Sequence, residues 1–226
     1  MKKILVASLL LACLSSNGQG FRLNGYAWYV FDDRIDSYYS TSRYFNATVQ
    51  GGLQWGGGIE YMIQNYYGIE LMYIRQDTKA PATYYDNTAI NNERSGEFDV
   101  AINYIMMGFN RYQRFTNQKV EGYGGLMLGV AIFDVTNPTN DNKNNSTKFA
   151  WGIRAGVNIF ASEKFGIKLQ TSLMSAVQSV GGGLYFGTGG GGAGVSTYSS
   201  MLQFGLGGGI VIPFGSGGGT AKPKQM

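Results

Sequence analysis

The chain has few of the side chains that enzymes use for chemistry. It contains no histidine, which removes the commonest general base, the commonest metal ligand and every Ser-His or Cys-His nucleophile pair. Its single cysteine, Cys13, lies in an apolar N-terminal stretch, so the rest of the chain has neither thiol chemistry nor a disulfide. No carboxylate pair stands beside a nucleophile. These residues predict a protein that is not an enzyme and needs no metal or cofactor.

Charged residues placed between apolar ones are the main candidates for a site. In Val49–Gln64 and Lys148–Ala161, apolar residues occupy every second position, and the charges fall between them. Charges on the inner face of such a sheet must pair or meet water, because a charge buried alone is expensive. The sequence therefore predicts an inner charge network in which Arg154 and Lys168 face the carboxylates. Its members are Arg22, Glu60, Glu70, Asp99, Glu121, Arg154 and Lys168.

Eight segments show this alternation and predict eight strands. The last one, SMLQFGLGGGIVIPF, is longer than the usual strand of roughly 5–6 residues and has one continuous apolar face. Such a strand suits a sheet whose outside contacts lipid. The eight are Phe21–Phe31, Val49–Gln64, Tyr67–Gln76, Glu97–Tyr112, Lys119–Phe133, Lys148–Ala161, Phe165–Val180 and Ser200–Phe214.

Hydrophobicity predicts which face of each strand points outward. In the second strand Val49 is expected outside and Gln50 inside. In the fourth strand the apolar set is expected outside and the polar set inside. The outward residues there are Phe98, Val100, Ile102, Tyr104 and Met106, and the inward ones are Glu97, Asp99 and Asn103.

Long and short connections alternate along the chain. Polar stretches at Asp32–Thr48, Asp77–Gly96, Asp134–Thr147 and Gly181–Ser199 predict long loops, and the connections between them are short turns. Membrane barrels sort their loops in this way, with an even number of strands and no open edge. The fold class predicted is therefore all-β, a transmembrane eight-stranded antiparallel up-and-down β-barrel, in which the eighth strand pairs with the first.

The two ends of the chain are predicted to lie outside the barrel. Residues 1–18 have the charged, apolar and small-residue regions of a signal peptide, with cleavage expected before Gln19. The alternative is lipoprotein processing at Cys13, because the preceding Leu10-Leu11-Ala12 resembles a lipobox. Residues 19–214 then form the barrel, and residues 215–226 form a flexible tail.

With its leader, strand rhythm and closing strand LQFGLGGGIVIPF, the chain resembles the small eight-stranded outer-membrane barrels of Gram-negative bacteria, the outer membrane protein β-barrel domain family. The resemblance implies a location in the cell outer membrane, with lipid, lipopolysaccharide and the barrel-assembly machinery as partners. It also implies that Phe214, which ends the last strand, acts as the assembly signal. A monomer is expected. The basic residues are scattered at a net charge of +4, so no nucleic-acid partner is expected.

The function favoured by the sequence is a structural or surface-interaction role without enzymatic activity. The alternatives are a narrow porin-like channel for small or apolar solutes, an accessory part of a secretion system, and a membrane-embedded enzyme acting on lipid or peptide. The inner charges would form a static plug in the first case and a gated pore in the second. Exposed aromatics in the long loops are candidate contacts for an extracellular ligand. They are Tyr38, Tyr39, Tyr84, Tyr85, Tyr185 and Phe186.

Overall fold

The computed structural model describes residues 20–40, 43–64, 66–85, 93–115, 119–137, 142–177, 183–187, 190–194 and 201–214. None of these residues belongs to a helix long and apolar enough to cross a membrane. The strands in chain order are β1 (Phe21–Val30), β2 (Asp33–Ser40), β3 (Arg43–Val49), β4 (Gly52–Ile63), β5 (Tyr67–Tyr85), β6 (Glu93–Arg114), β7 (Val120–Asn137), β8 (Asn142–Ser162), β9 (Phe165–Val177), β10 (Gly183–Gly187), β11 (Gly190–Gly194) and β12 (Met201–Phe214).

Eight of these strands close into an antiparallel barrel. The order around the wall is β1, β4, β5, β6, β7, β8, β9 and β12, and β12 returns to β1. The closing ladder runs without a break from Phe21 opposite Phe214 to Val30 opposite Gly205. The predicted eight-stranded barrel and the pairing of its last strand with its first are confirmed.

The stretches expected to be long loops contain much regular structure. Residues 33–40 and 43–49 form the paired strands of the hairpin β2–β3, and β3 pairs with the far end of β5. Strand β5 continues to Tyr85, and β6 begins at Glu93. Strand β7 likewise continues to Asn137, and β8 begins at Asn142. A second hairpin, β10–β11, lies within the fourth stretch. The predicted strand ends were therefore wrong, because a backbone ladder outside the apolar zone needs no alternation of apolar side chains.

The outside of the barrel carries a band of large apolar side chains. Each is between about two-fifths and three-fifths exposed, an arrangement that would be costly in water and is suited to hydrocarbon. At one end of the band the Phe21 ring packs against the rings of Tyr61 and Phe214, with centroids 5.3 and 5.8 Å away. The band includes Leu23, Tyr29, Leu53, Trp55, Ile59, Leu71, Leu126, Leu128, Phe149, Ile153, Ile167, Leu169, Leu202, Leu206 and Ile210.

The orientation predicted for the fourth strand is wrong. In β6 the residues expected to contact lipid are buried inside the barrel, whereas Ile105, Met107 and Phe109 face outward. Glu97 and Asp99 are exposed on the outer surface. The error arises because this part of the interior is itself apolar, so hydrophobicity does not distinguish the inner face of β6 from its outer face. The inward residues are Phe98, Val100, Ile102, Tyr104 and Met106.

Val49 and Gln50 were also assigned to the wrong faces. Val49 is buried and Gln50 is exposed. Val49 ends β3, and β4 begins only at Gly52, so the predicted second strand is in fact two strands. The two-residue break between them shifts the alternation of faces, which a continuous strand would have kept.

The closing ladder can be tested with a cysteine pair. Leu23 and Ile212 are register partners, so Leu23→Cys with Ile212→Cys in a Cys13→Ser background should form a disulfide on mild oxidation. We expect a shift in mobility on non-reducing gels of the assembled protein. The matched control, Leu23→Cys with Ile210→Cys, places the cysteines diagonally at roughly 7–8 Å and should cross-link poorly. Equal cross-linking of the two pairs would contradict the register.

Candidate functional site

The lumen is the part of the structure in which the predicted site residues meet. We call the end with Phe21, Phe214 and the short connections the turn end, and the opposite end, with β2–β3 and β10–β11, the hairpin end. Along β5 from the turn end, the buried inward side chains are Glu70, Met72, Ile74, Gln76 and then Ala80 and Ala82. The lumen therefore passes from charged groups through apolar groups and amides to a second apolar zone.

Arg22 and Glu121 form an ion pair across the lumen near the turn end. The Arg22 guanidinium donates to both Glu121 oxygens, with Nη1–Oε1 at 2.6 Å and Nη2–Oε2 at 3.1 Å. Asn158 Nδ2 also donates to Glu121 Oε1 at 2.9 Å. The guanidinium lies over the Tyr112 ring, with its carbon 4.7 Å from the ring centroid. The pair joins β1 to β7, which are not neighbours in the wall.

Arg154 and Glu70 form a second ion pair, and both side chains are fully buried. Arg154 also donates to Asn110 Oδ1 at 3.0 and 2.9 Å and to the Tyr26 hydroxyl at 3.0 Å. Glu70 accepts further bonds from the Tyr26 hydroxyl and, at 2.8 Å, from Asn24 Nδ2. This cluster connects β1, β5, β6 and β8, and it contains two of the predicted network residues.

Glu60 is held by neutral donors. Its carboxylate accepts from Asn110 Nδ2 and the Tyr112 hydroxyl, each at 2.6 Å, and from Asn24 Nδ2 at 3.3 Å. No cation donates to it among the residues that the structure describes. The predicted pairing of Glu60 with Arg154 or Lys168 is therefore replaced by amide and phenol contacts.

Lys168 lies in the lumen as predicted, but no ion pair among the described residues joins it to a carboxylate. Its side chain is fully buried, and Nζ has no hydrogen-bond partner among the described residues. The ammonium instead lies near the rings of Tyr123 and Tyr26, 4.8 and 5.2 Å from their centroids. Such cation–π contacts attract the charge but accept no conventional hydrogen bond.

Asp99 does not belong to the lumen network, and its predicted inward position is wrong. It is exposed on the outer face of β6, where it stands opposite Lys79 in the ladder with β5. Asp77, Asp99 and Asp134 line a shallow surface cavity of about 390 Å³. No group of three or more His, Cys, Asp or Glu side chains in the described ranges is arranged to hold a metal ion.

A layer of amides spans the lumen beyond the charges. Trp28 Nε1 donates to Gln54 Oε1 at 2.7 Å, and Gln54 Nε2 donates to Gln76 and Gln203, each at 3.0 Å. Gln203 Nε2 donates to Gln76 Oε1 at 2.8 Å, and the Tyr104 hydroxyl donates to Gln203 Oε1 at 2.9 Å. We call Trp28, Gln54, Gln76, Tyr104 and Gln203 the amide layer. The sequence did not predict the mutual bonding of these side chains.

Apolar side chains fill the lumen on both sides of the amide layer. Towards the charges lie methionines on four strands, and towards the hairpin end lie small and aromatic residues, all buried. Among them, Phe98, Val100 and Met106 of β6 were assigned to the outer face by the sequence, because they are as apolar as the lipid-facing residues. The first group is Met72, Ile74, Met106, Met127 and Met174, and the second is Ala80, Ala82, Phe98, Val100, Phe133 and Val135.

Glycines on the inner face make room for the large polar side chains. A Cβ on Gly108 would lie 2.8 Å from Arg154 Nη2 and 2.9 Å from Met72 Cε. A Cβ on Gly68 would collide with the Glu60 carboxylate. An eight-stranded lumen is only wide enough for side chains to fill, so large residues must face small ones.

The remaining predicted residues stay predictions. Tyr38 and Tyr39 lie in β2, Tyr84 and Tyr85 in β5, and Tyr185 and Phe186 in β10, but their side chains lie outside the described part. Phe214 ends β12 and stacks on Phe21, which shows its place in the wall but does not test its role in assembly. Residues 1–19 and 215–226, with the signal peptide, Cys13 and the tail, also lie outside the described residues.

The fold is similar to that of solved outer-membrane barrels. Neisserial surface protein A matches with a TM-score of 0.53 at 12% identity, over 88% of this chain and 98% of that one. The outer membrane protein OprG of Pseudomonas aeruginosa matches with a TM-score of 0.53 at 13% identity, over 88% and 97%. No family model matches the chain. No curated protein matches it either. The resemblance to small eight-stranded outer-membrane barrels is thus confirmed at the level of the fold.

Removing Arg154 should be far more costly than removing an arginine on the outer surface. Arg154→Met leaves the buried Glu70 carboxylate without its cation, and we expect a loss of about 3–5 kcal/mol in the free energy of unfolding. The control is Arg75→Met, because Arg75 pairs with Asp77 at 2.6 Å but both side chains are partly exposed. That loss should be about 0–1 kcal/mol. Urea titration in lipid vesicles measures both, and similar losses would contradict the cluster.

Proposed function

We propose that this protein is an integral outer-membrane barrel with a closed lumen, whose role is structural or surface-interacting and not enzymatic. The observation that carries the proposal is the continuous filling of the lumen. Charged clusters, methionines, the amide layer and a second apolar zone follow one another, and each polar zone is bonded across the barrel. A solute crossing this interior would have to displace all of them.

The outer surface and the fold support the location. The apolar band with closed backbone ladders is what a bilayer requires of a spanning β-structure. The two solved proteins compared above are a surface protein and an outer membrane protein by name. Lipid and lipopolysaccharide on the outside and the assembly machinery acting on Phe214 are the partners we propose.

The hairpin end is the proposed interaction face. There the wall rises in the long strands β5 to β8, of 19, 22, 18 and 21 residues, and the hairpins β2–β3 and β10–β11 lie beside them. Strands carry side chains in a defined geometry, so contacts presented on them are better ordered than contacts on irregular loops. Tyr38, Tyr39, Tyr84, Tyr85, Tyr185 and Phe186 all belong to this end.

A narrow channel for small or apolar solutes is the second candidate. Methionine side chains are flexible and adapt to different occupants, and several of them line the lumen between the charges and the amide layer. In that case the same residues would move aside to admit a slim solute, and the ion pairs would act as a gate.

Conductance separates the closed barrel from the gated pore. In planar bilayers we expect the refolded wild type, Arg154→Met and Arg22→Met to show no current steps, because the amide layer and the apolar zones remain when either ion pair is removed. A large porin inserted under the same conditions shows that the assay detects an open barrel. Current steps in either variant would favour the gated pore.

The interaction face can be tested in intact cells. Replacing Tyr38, Tyr39, Tyr84, Tyr85, Tyr185 and Phe186 by alanine should leave assembly unchanged and remove the extracellular partner recovered by chemical cross-linking. The control variant carries Leu53→Ala and Leu71→Ala, which lie in the lipid-facing band and should not alter that recovery. Recovery of the same partner from the six-alanine variant would contradict the proposal.

A further inference from the structure

Apart from Arg114 Nε, which lies in an ion pair 3.5 Å from Glu121 Oε2, three buried polar atoms in the charged part of the lumen have no hydrogen-bond partner among the described residues. They are Lys168 Nζ, Asn158 Oδ1 and Asn24 Oδ1, and their side chains are at most 1% exposed. One is a donor of three hydrogen bonds and two are acceptors. Buried polar groups are nearly always bonded in folded proteins, so three such atoms in one zone require an explanation.

The orientation of the two asparagines is set by the carboxylates. Asn158 Nδ2 donates to Glu121, and Asn24 Nδ2 donates to both Glu60 and Glu70. A flipped amide would place its oxygen against a carboxylate oxygen. The two amide oxygens are therefore directed away from the carboxylates.

The unpartnered atoms come from neighbouring positions of the wall. Asn158 and Lys168 are direct partners in the ladder between β8 and β9. Lys168 is in turn opposite Gly209 of β12, and Gly209 is opposite Tyr26 of β1. Asn24 is the next inward residue of β1, so all three side chains project into the same region.

The carboxylates near Lys168 are already occupied. Each of Glu60, Glu70 and Glu121 accepts three hydrogen bonds from arginine, asparagine or tyrosine donors. The two tyrosine rings attract the ammonium but take none of its protons into a hydrogen bond. Lys168 therefore has N–H donors without an acceptor, and the two asparagines in the same zone have oxygen acceptors without a donor.

The chemistry of this set excludes charged ligands. A small anion would bond Lys168 but would face two amide oxygens and three carboxylates. A metal cation would suit the amide oxygens but would be repelled by the ammonium. Only a neutral group that both donates and accepts complements all three atoms, and in an enclosed lumen water is the smallest such molecule.

We infer that the charged zone contains a bound-water site in which water accepts from Lys168 Nζ and donates to Asn158 Oδ1 and Asn24 Oδ1. This site places ordered water in the charged zone near the turn end. Water gives the ammonium the hydrogen bonds that the tyrosine rings do not accept. This inference does not depend on the surface role of the hairpin end.

A high-resolution crystal structure of the wild type tests the site directly. We expect ordered water at about 2.7–3.2 Å from Lys168 Nζ and from at least one of the two amide oxygens. Nζ bonded to a carboxylate of Glu60, Glu70 or Glu121, or the absence of water density around it, would overturn the inference.

Nuclear magnetic resonance gives a second measurement in detergent. Protein labelled with ¹⁵N-lysine should show transfer between a long-lived water and one buried ammonium, and Lys168→Met should remove that signal. Lys164→Met, in the exposed turn between β8 and β9, should leave it in place. A buried ammonium that shows contacts only to tyrosine ring protons would contradict the site. The contact with water is measured in the wild type, so the test does not depend on whether Lys168→Met folds.

Discussion

The closure of β12 on β1 is the constraint on which the rest of the structure depends. Ten consecutive residue pairs form this ladder, and with it the eight-stranded wall has no unpaired edge around its circumference. In hydrocarbon an unpaired backbone group has no water to bond, so an open sheet with the same apolar face could not cross a bilayer. Closure also fixes the diameter, and the diameter determines that the lumen is filled by side chains.

A filled lumen forces polar groups to satisfy one another across the barrel. Arg22 reaches from β1 to Glu121 on β7, and Arg154 reaches from β8 to Glu70 on β5. These contacts require small residues opposite them, and Gly108 is one position where a methyl group would meet the guanidinium. The many inward glycines and the long inward side chains are therefore two parts of the same packing arrangement.

How much of the fold and of the lumen the sequence could predict depends on whether polar residues alternate with apolar ones in each strand. Where charges alternate with apolar residues, as around Glu70, Arg154 and Lys168, the strand and its inner face followed directly. Where the interior is apolar, as for Ile102 and Tyr104 in β6, the two faces look alike and the orientation was predicted wrongly. Asp99 was misplaced for the same reason, since its assignment depended on that orientation.

The sequence also could not predict which side chains bond to each buried charge of the network. The alternation places Lys168 in the lumen, but it does not show that Glu60 is already held by Asn110 and Tyr112 or that the Lys168 ammonium lies over tyrosine rings. These outcomes depend on which side chains of distant strands lie within reach of each carboxylate. Likewise, Asp, Asn and Ser in the connections favour turns, yet β2–β3 and the long ends of β5 to β8 show that a ladder can continue through such residues when its backbone partners are in place.

The composition of the lumen limits what the barrel can do. The fully buried charges that the structure describes are three cations, Arg22, Arg154 and Lys168, and three carboxylates, Glu60, Glu70 and Glu121, so these six charges balance one another. An ion would also have to pass the amide layer, whose donors and acceptors bond one another, and two apolar zones that offer it nothing. The same interior offers little to a polar substrate, since its three carboxylates and both buried arginines are already bonded to other side chains of the lumen. The side chains that can contact a partner lie at the hairpin end and on the lipid-facing surface. For this reason we assign the proposed role to the outside of the barrel.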